Sequence, residues 1–337
     1  MNSLNEEVTM EIVKTLAAGI TLSLGAISGF AQAEELTPVT VATTWYAQAE
    51  HGGFYAAKAM GIYEDYGLDV TIKMGGPQVN NVQLLMGGSV DFIMGYALQS
   101  FNSVNQDIPL VTVAAFFQKD PQSLVVHTGV GNDSLEDMKG KPMRVPTAGR
   151  VAYWPWLKTE YGYTDDQLQA YDYSFAPFIR DEQTIQQGYV TNDGFFLEQA
   201  GVEGKSLLLA DYGWEAYSAT LDTTHEMVEE NPEVVQKMVE ATAKGWEAYF
   251  ENPAPANALI KEDNPEMQDE LLAYSHAKMQ EEGILLSGAA EGGQYGMMTR
   301  ERWQAFFEDM VAAGTLPEDL DWEAAFDLSF VEAVYAD

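Results

Sequence analysis

Four histidines are the first candidates for chemistry: His51, His127, His225 and His276. They are scattered, and no HExxH or comparable pair puts two imidazoles on one helix face, where they would hold zinc. The run Gly201-Val202-Glu203-Gly204-Lys205-Ser206 ends like a phosphate loop, but Gln199 stands where that motif needs its leading glycine. No strand leads into a complete GxGxxG, and no GxSxG elbow occurs. Carboxylates are so numerous that a pair of them marks a solvated acidic surface rather than a catalytic dyad. The expectation is a protein without catalytic residues, cofactor or metal.

Aromatic and polar residues at the ends of apolar runs point elsewhere. Trp45 and Tyr46 follow the first strand-like run, and His51-Gly52-Gly53-Phe54-Tyr55 opens the first helical one. Tyr96 follows Asp91-Phe92-Ile93-Met94 and Gln118 follows LVTVAAFF; Gly149 stands after MRVPT, and Asn192-Asp193 after Tyr189-Val190-Thr191. In open parallel sheets the ligand sits beyond the carboxyl ends of the strands, where the next helices begin. Rings recurring at such ends offer flat apolar faces, with a few polar groups for orientation, and so suit a planar ring ligand.

The elements that position these residues alternate between strand and helix. Strands are expected at 39–43, 68–74, 91–94, 110–117, 123–127, 142–145, 189–191 and 207–209, and helices at 51–60, 79–86 and 152–161. Short glycine-punctuated turns between them give a parallel α/β sheet, and the unbroken apolar run at 110–117 is a strand buried on both faces. Beyond about Thr223 the pattern becomes helical, beginning with Asn231-Pro232 and a helix over 233–250. Further helices are expected at 266–281 and 299–313. The fold class is therefore α/β, in two lobes, with a C-terminal helical segment.

Composition bounds the function. The 337 residues carry 17 Lys plus Arg against 52 Asp plus Glu, a formal charge of −35. Phosphate binding needs the opposite surplus, so nucleic acid is excluded as a general partner, and anionic lipid with it. The chain has no cysteine, which removes disulfides, thiolate catalysis and iron–sulfur clusters. At the N-terminus, the apolar or small run from Thr15 to Phe30 ends in Ala31-Gln32-Ala33, the small-x-small pattern of a cleavable export signal. Residues 1–33 are read as that signal, whether the start is Met1 or Met10, and the mature protein as exported.

Several patches resemble the periplasmic substrate-binding proteins of ABC importers, in the branch that binds thiamine-pyrimidine precursors and is related to nitrate-, sulfonate- and taurine-binding proteins. Trp45 followed by HGGFYAAKAMGIYEDYGLDV (His51 to Val70) carries the resemblance most specifically. LLMGGSVDFIMGY, IPLVTVAAFFQ, SLEDMKGKPMRVP, QGYVTNDGFFLEQAG and ENPEVVQKMVEATAKGWEAYFENP extend it in family order. The resemblance implies a two-lobed type II binding-protein fold with one lobe at 36–124 plus 220–337, the other at 125–219, and a hinge crossed twice. It implies a monomer in the periplasm that hands a small-molecule solute to an inner-membrane permease and ATPase. Trp45 and Tyr96 would face the ring, and His51 would hydrogen-bond it or hold its loop. Asn192-Asp193 stands where that branch has Asn-Glu, which leaves the solute open. Tyr153 and Trp154 would add two rings and Arg150 a cation, and Arg150 with Arg180 would be the cations available to an anionic solute. Enzymes that make the thiamine pyrimidine share the fold, but they resemble one another in a cysteine-rich segment that this chain lacks. Transport and sensing remain alternatives at this point.

Overall fold

The computed structural model describes residues 35–171 and 173–336; the expected export signal lies outside them. Within Leu36–Asp337, which forms one compact unit, the chain builds two five-stranded sheets. The first holds β1 (Thr37–Ala42), β2 (Leu68–Lys73), β3 (Phe92–Tyr96), β4 (Leu110–Phe117) and β10 (Ser218–Thr224), in the order β2-β1-β3-β10-β4. The second holds β5 (Gln122–His127), β6 (Met143–Arg144), β7 (Leu168–Gln169), β8 (Ile185–Tyr189) and β9 (Gly204–Leu208), in the order β7-β6-β8-β5-β9. Each sheet with its flanking helices is called a lobe below.

Pairing is mixed. β1 runs parallel to β2 and β3, with Val39 beside Val70 and Val41 beside Phe92, while β10 runs antiparallel between β3 and β4. In the second sheet β6 is parallel to β7 and β8, and β5 is antiparallel to β8 and β9. All eight residues of β4 are buried, as a strand covered on both faces requires. The Pro232–Glu251 helix carries the buried stripe Val235, Met238, Val239 and Trp246, and Trp246 packs against Phe116 and Phe117 of β4.

Two readings of the sequence shift. The strand expected at 189–191 lies earlier: β8 spans Ile185–Tyr189, and a helix, Val190–Ala200, starts immediately after it. β10, between β3 and β4 in the first sheet, was not foreseen, because Ser218, Thr220, Asp222 and Thr223 are polar yet fully buried and hide the apolar period. The crossings, the segments joining the two sheets, are 118–121 and 209–217, and the expected lobe boundaries at 124 and 219 fall inside β5 and β10. The C-terminal helices touch both lobes. Tyr274 of the Asp269–Glu281 helix contacts Phe195 of the second lobe, and Phe306 of the Arg300–Ala312 helix contacts Phe101 of the first.

Candidate ligand-binding site between the two sheets

Strand direction brings the two sheets end to end. Tyr96 and Phe117, the last residues of β3 and β4, both pair with Ser218 at the start of β10. Across the crossing, Tyr189 at the end of β8 pairs with Gln122 at the start of β5. The segment joining them is 118–121, so the side chains beyond these strand ends converge from two sheets whose buried residues form one continuous core.

Rings collect there. Half-buried Trp45, in the loop after β1, has its ring centroid 5.6 Å from Tyr46 and 5.7 Å from Tyr173 of the second lobe, and Tyr173 lies 5.3 Å from Tyr171. Tyr189 reaches Ser218 of the first sheet. Tyr153 is buried, and its hydroxyl has no partner. Gly149 leaves room for that hydroxyl, since a Cβ there would stand 2.6 Å from it.

Two buried carboxylates share the neighbourhood. Asp120, in the first crossing, accepts from Trp214 Nε1 at 3.0 Å and from the Gln122 backbone N–H at 3.4 Å; burial pushes its carboxyl up to about 6. Because Trp214 belongs to the second crossing, this bond ties together the two segments that join the sheets. Arg302 reinforces it by donating to the carbonyls of Gln118 and Glu215 (3.0 Å for the latter), one from each pass, with its guanidinium 4.2 Å over the Tyr217 ring. Glu50, in the turn before the first helix, is 1 % exposed. Its Oε1 accepts from Thr191 Oγ1 of the second lobe, and with the Asn192 amide oriented to suit its neighbours Nδ2 donates to the same oxygen (3.2 Å) and to Ser275 (2.9 Å). Glu50 Oε2 has no partner.

The phenols register these carboxylates. Burial pushes the Tyr96 hydroxyl up to about 12, with Asp120, Tyr173 and Glu50 adding to the rise. Tyr153 and Tyr189 are raised well above the ordinary tyrosine range by burial, then by neighbours that include Asp120 in both cases. At neutral pH the phenols are therefore intact O–H donors around negatively charged or proton-sharing carboxyls.

The expected residues thus divide. Trp45, Tyr46, Tyr96 and Tyr153 stand in or at the rim of the interlobe cluster, and Gly149 supports Tyr153. Asn192 bridges the lobes. His51 is 1 % exposed and held neutral, burial lowering its imidazole to about 3, with Nδ1 unpartnered. Tyr55 points into its own lobe and donates to Asp263 at 2.7 Å. Gln118 lies in the first crossing, and its amide donates to the carbonyls of Ala115 and Met297. Asp193 turns inward, accepting from Ser123 Oγ (2.6 Å), Ser206 Oγ (2.8 Å) and the Tyr189 N–H (2.9 Å), so both its oxygens are engaged inside the second lobe. Arg150 donates to the carbonyls of Val145 and Gln169, and Arg180 to that of Ala176, all within the second lobe. Glu50, Asp120, Tyr173 and Tyr189 join the cluster unforeseen. Asp120 carried a signal, standing two residues past Gln118 at the same strand end; Tyr189 was hidden inside the misplaced strand.

Comparison with known proteins agrees with this architecture. The protein-family model described as NMT1/THI5 like matches residues 48–256. A riboflavin-binding protein, RibY, of Chloroflexus aurantiacus is 25% identical over 307 residues, covering 88% of this chain and 86% of its own. A formylaminopyrimidine-binding protein of Halalkalibacterium halodurans is 25% identical over 334 residues, covering 94% and 98%. Among solved structures, the periplasmic nitrate-binding protein NrtA of Synechocystis PCC 6803 superposes with a TM-score of 0.62 at 14% identity, covering 89% of this chain and 88% of that one. At that identity the likeness is one of fold.

Proposed function

Because the chain belongs to the NMT1/THI5-like family and has the fold of the periplasmic solute-binding proteins, we propose that it captures a small planar heterocycle, a thiamine-pyrimidine precursor or a related ring, between its lobes. It is a binding protein and not an enzyme. The observation that carries the reading is the contact of Trp45 on one lobe with Tyr173 on the other, beside buried Asp120 and Glu50. A flat guest entering there stacks on rings from both halves, each aromatic pair contributing about 0.5–1.5 kcal/mol beyond the area it buries. Tyr96, Tyr153 and Tyr189 supply hydroxyls for orientation, and Tyr46 closes the rim. His51, neutral and buried, holds the loop that carries Trp45. The site residues are thus Trp45, Tyr46, Tyr96, Tyr153, Tyr173, Tyr189, Glu50 and Asp120.

The chemistry of the cluster argues against nitrate, sulfonate or taurine. Anion capture needs a cationic cleft, whereas the arginines expected to serve are spent on backbone carbonyls of the second lobe. The names of the two relatives, one binding riboflavin and one formylaminopyrimidine, also favour a ring. The protein would act outside the inner membrane, exported by residues 1–33 and working as a monomer. It would deliver its solute to an ABC permease and ATPase by rotation of the lobes about the paired crossings.

The test is calorimetric titration with 4-amino-5-hydroxymethyl-2-methylpyrimidine, riboflavin, an alkanesulfonate and nitrate. Binding of one ring compound is expected, and Trp45→Ala should weaken it at least tenfold while leaving the unfolding temperature nearly unchanged, since Trp45 is half-buried in a loop and outside the hydrophobic core. Binding of nitrate or sulfonate alone, or an unaltered dissociation constant in Trp45→Ala, would overturn the reading.

A further inference from the structure

The buried acids near the cleft differ in one respect. Asp120 and Asp193 have both carboxylate oxygens engaged by donors of the protein. Glu50 does not: Oε1 is held by Thr191 and Asn192, while Oε2 is buried and unpartnered. Nor does a counter-charge stand beside it. His51, its sequence neighbour, is neutral, and among the described residues the ion pairs, Lys119–Asp211 and Lys278–Glu282 among them, do not include Glu50. Its electrostatic neighbours are the phenols of Tyr96, Tyr189 and Tyr249. Burial pushes the Glu50 carboxyl above its ordinary range, against the pull of Thr191 and its own backbone N–H, and the cost of keeping it ionised with Oε2 unbonded is relieved by any group that brings N–H donors or positive charge.

We propose that Glu50 selects the solute and closes the lobes with one side chain: Oε1 latches the second lobe through Thr191 and Asn192, and Oε2 accepts the N–H edge of the bound ring. The ligand class is then narrower than a planar heterocycle. It is a ring bearing an amino group beside a ring nitrogen, the amidine-like edge that is basic or strongly N–H donating. An oxo or carboxylate substituent at that edge would set lone pairs against Oε2 and be rejected, because a site built for a donor penalises the analogue that lacks it. Because Glu50 touches both the guest and the opposite lobe, a guest that satisfies Oε2 also fixes the rotamer that carries the latch. This inference rests on the reading of the cleft given above and adds to it the edge by which the guest is recognised.

The experiment compares 4-amino-5-hydroxymethyl-2-methylpyrimidine with its 4-hydroxy analogue, which has the same ring and presents an oxo group in place of the amine. Both are titrated into the wild type, Glu50→Gln and Trp45→Ala. The wild type is expected to prefer the amino compound at least tenfold. Glu50→Gln keeps an acceptor for Thr191 but gives the ring an amide, so it should lose at least tenfold toward the amino compound and little toward the oxo one. Trp45→Ala should weaken both alike. A wild type without preference overturns the inference, and that measurement stands even if Glu50→Gln folds poorly. Equal losses for the two compounds in Glu50→Gln would confine Glu50 to the latch and also overturn it. If Glu50→Gln binds the amino compound as the wild type does while Trp45→Ala does not, Glu50 is dismissed and the stacking site stands. A wild type that binds neither ring removes both.

Discussion

Asp193→Ala is expected to destabilise the protein by about 3–5 kcal/mol, because each buried donor left without its acceptor costs about 1–3 kcal/mol. The carboxylate sits at the head of the Val190–Ala200 helix, 3 % exposed, and gathers Ser123 from β5, Ser206 and the N–H of Tyr189. It therefore fastens the helix to the sheet at the strand end that carries Tyr189. Truncation leaves two hydroxyls and an N–H buried without acceptors. Asp193→Asn retains an acceptor and should lose less. Denaturant unfolding monitored by tryptophan fluorescence gives the midpoint of each variant, and calorimetry gives the affinity of the fraction that folds. A midpoint close to wild type combined with abolished ring binding would instead make Asp193 a direct ligand contact.

That residue also shows how far the sequence could be read. The strand–helix alternation, the buried run at β4 and the aromatic residues after β1 and β3 are encoded locally, by period and by turn chemistry, and they emerge from the residues alone. Trp45 and Tyr96 follow from that pattern because a strand end is a position in the chain as well as in space. Whether a polar residue at a strand end faces the cleft or its own sheet is decided by one helical turn, and no local pattern carries that information. Asn192 and Asp193 are adjacent, yet the first reaches Ser275 and Glu50 while the second bonds inside its lobe. Glu50 was lost among 52 acidic residues. Its only distinguishing mark is to be the one acid between Trp45 and the first helix. β10 was missed for a related reason: its polar side chains are buried through pairing with residues more than a hundred positions away, as Asp222 does with Thr112.

Asp222 leads to the second large effect, one that depends on pH. It lies fully buried in β10, accepts from Thr112 Oγ1 at 2.8 Å through one oxygen, and leaves the other unpartnered. Gly95 on β3 makes room for it, since a Cβ there would fall 2.0 Å from Oδ2. Burial raises the Asp222 carboxyl from 3.8 to about 7. Between those two values the folded chain binds a proton that the unfolded chain does not, so this group favours the fold as pH falls through 7 toward 4. Above about 7 its penalty is fully present. At about 1.4 kcal/mol for each pH unit between folded and unfolded titration, Asp222→Asn is expected to stabilise the protein by about 2–4 kcal/mol at pH 8. The gain should shrink by more than half at pH 5, where the wild-type carboxyl is already protonated. The amide also offers a donor to Thr220 Oγ1, another buried atom without a partner. In the wild type, Asp120 and Asp193, both raised to about 6, tilt stability the same way, while His51, lowered to about 3, opposes them as pH falls below 6.5. The informative quantity is therefore the difference between wild type and Asp222→Asn at each pH, in which those shared contributions cancel. Unfolding curves at pH 5, 6, 7 and 8 should show that difference widening toward alkaline pH; a constant difference, or a variant less stable at pH 8, would mean that Asp222 is held ionised by a partner in the fold.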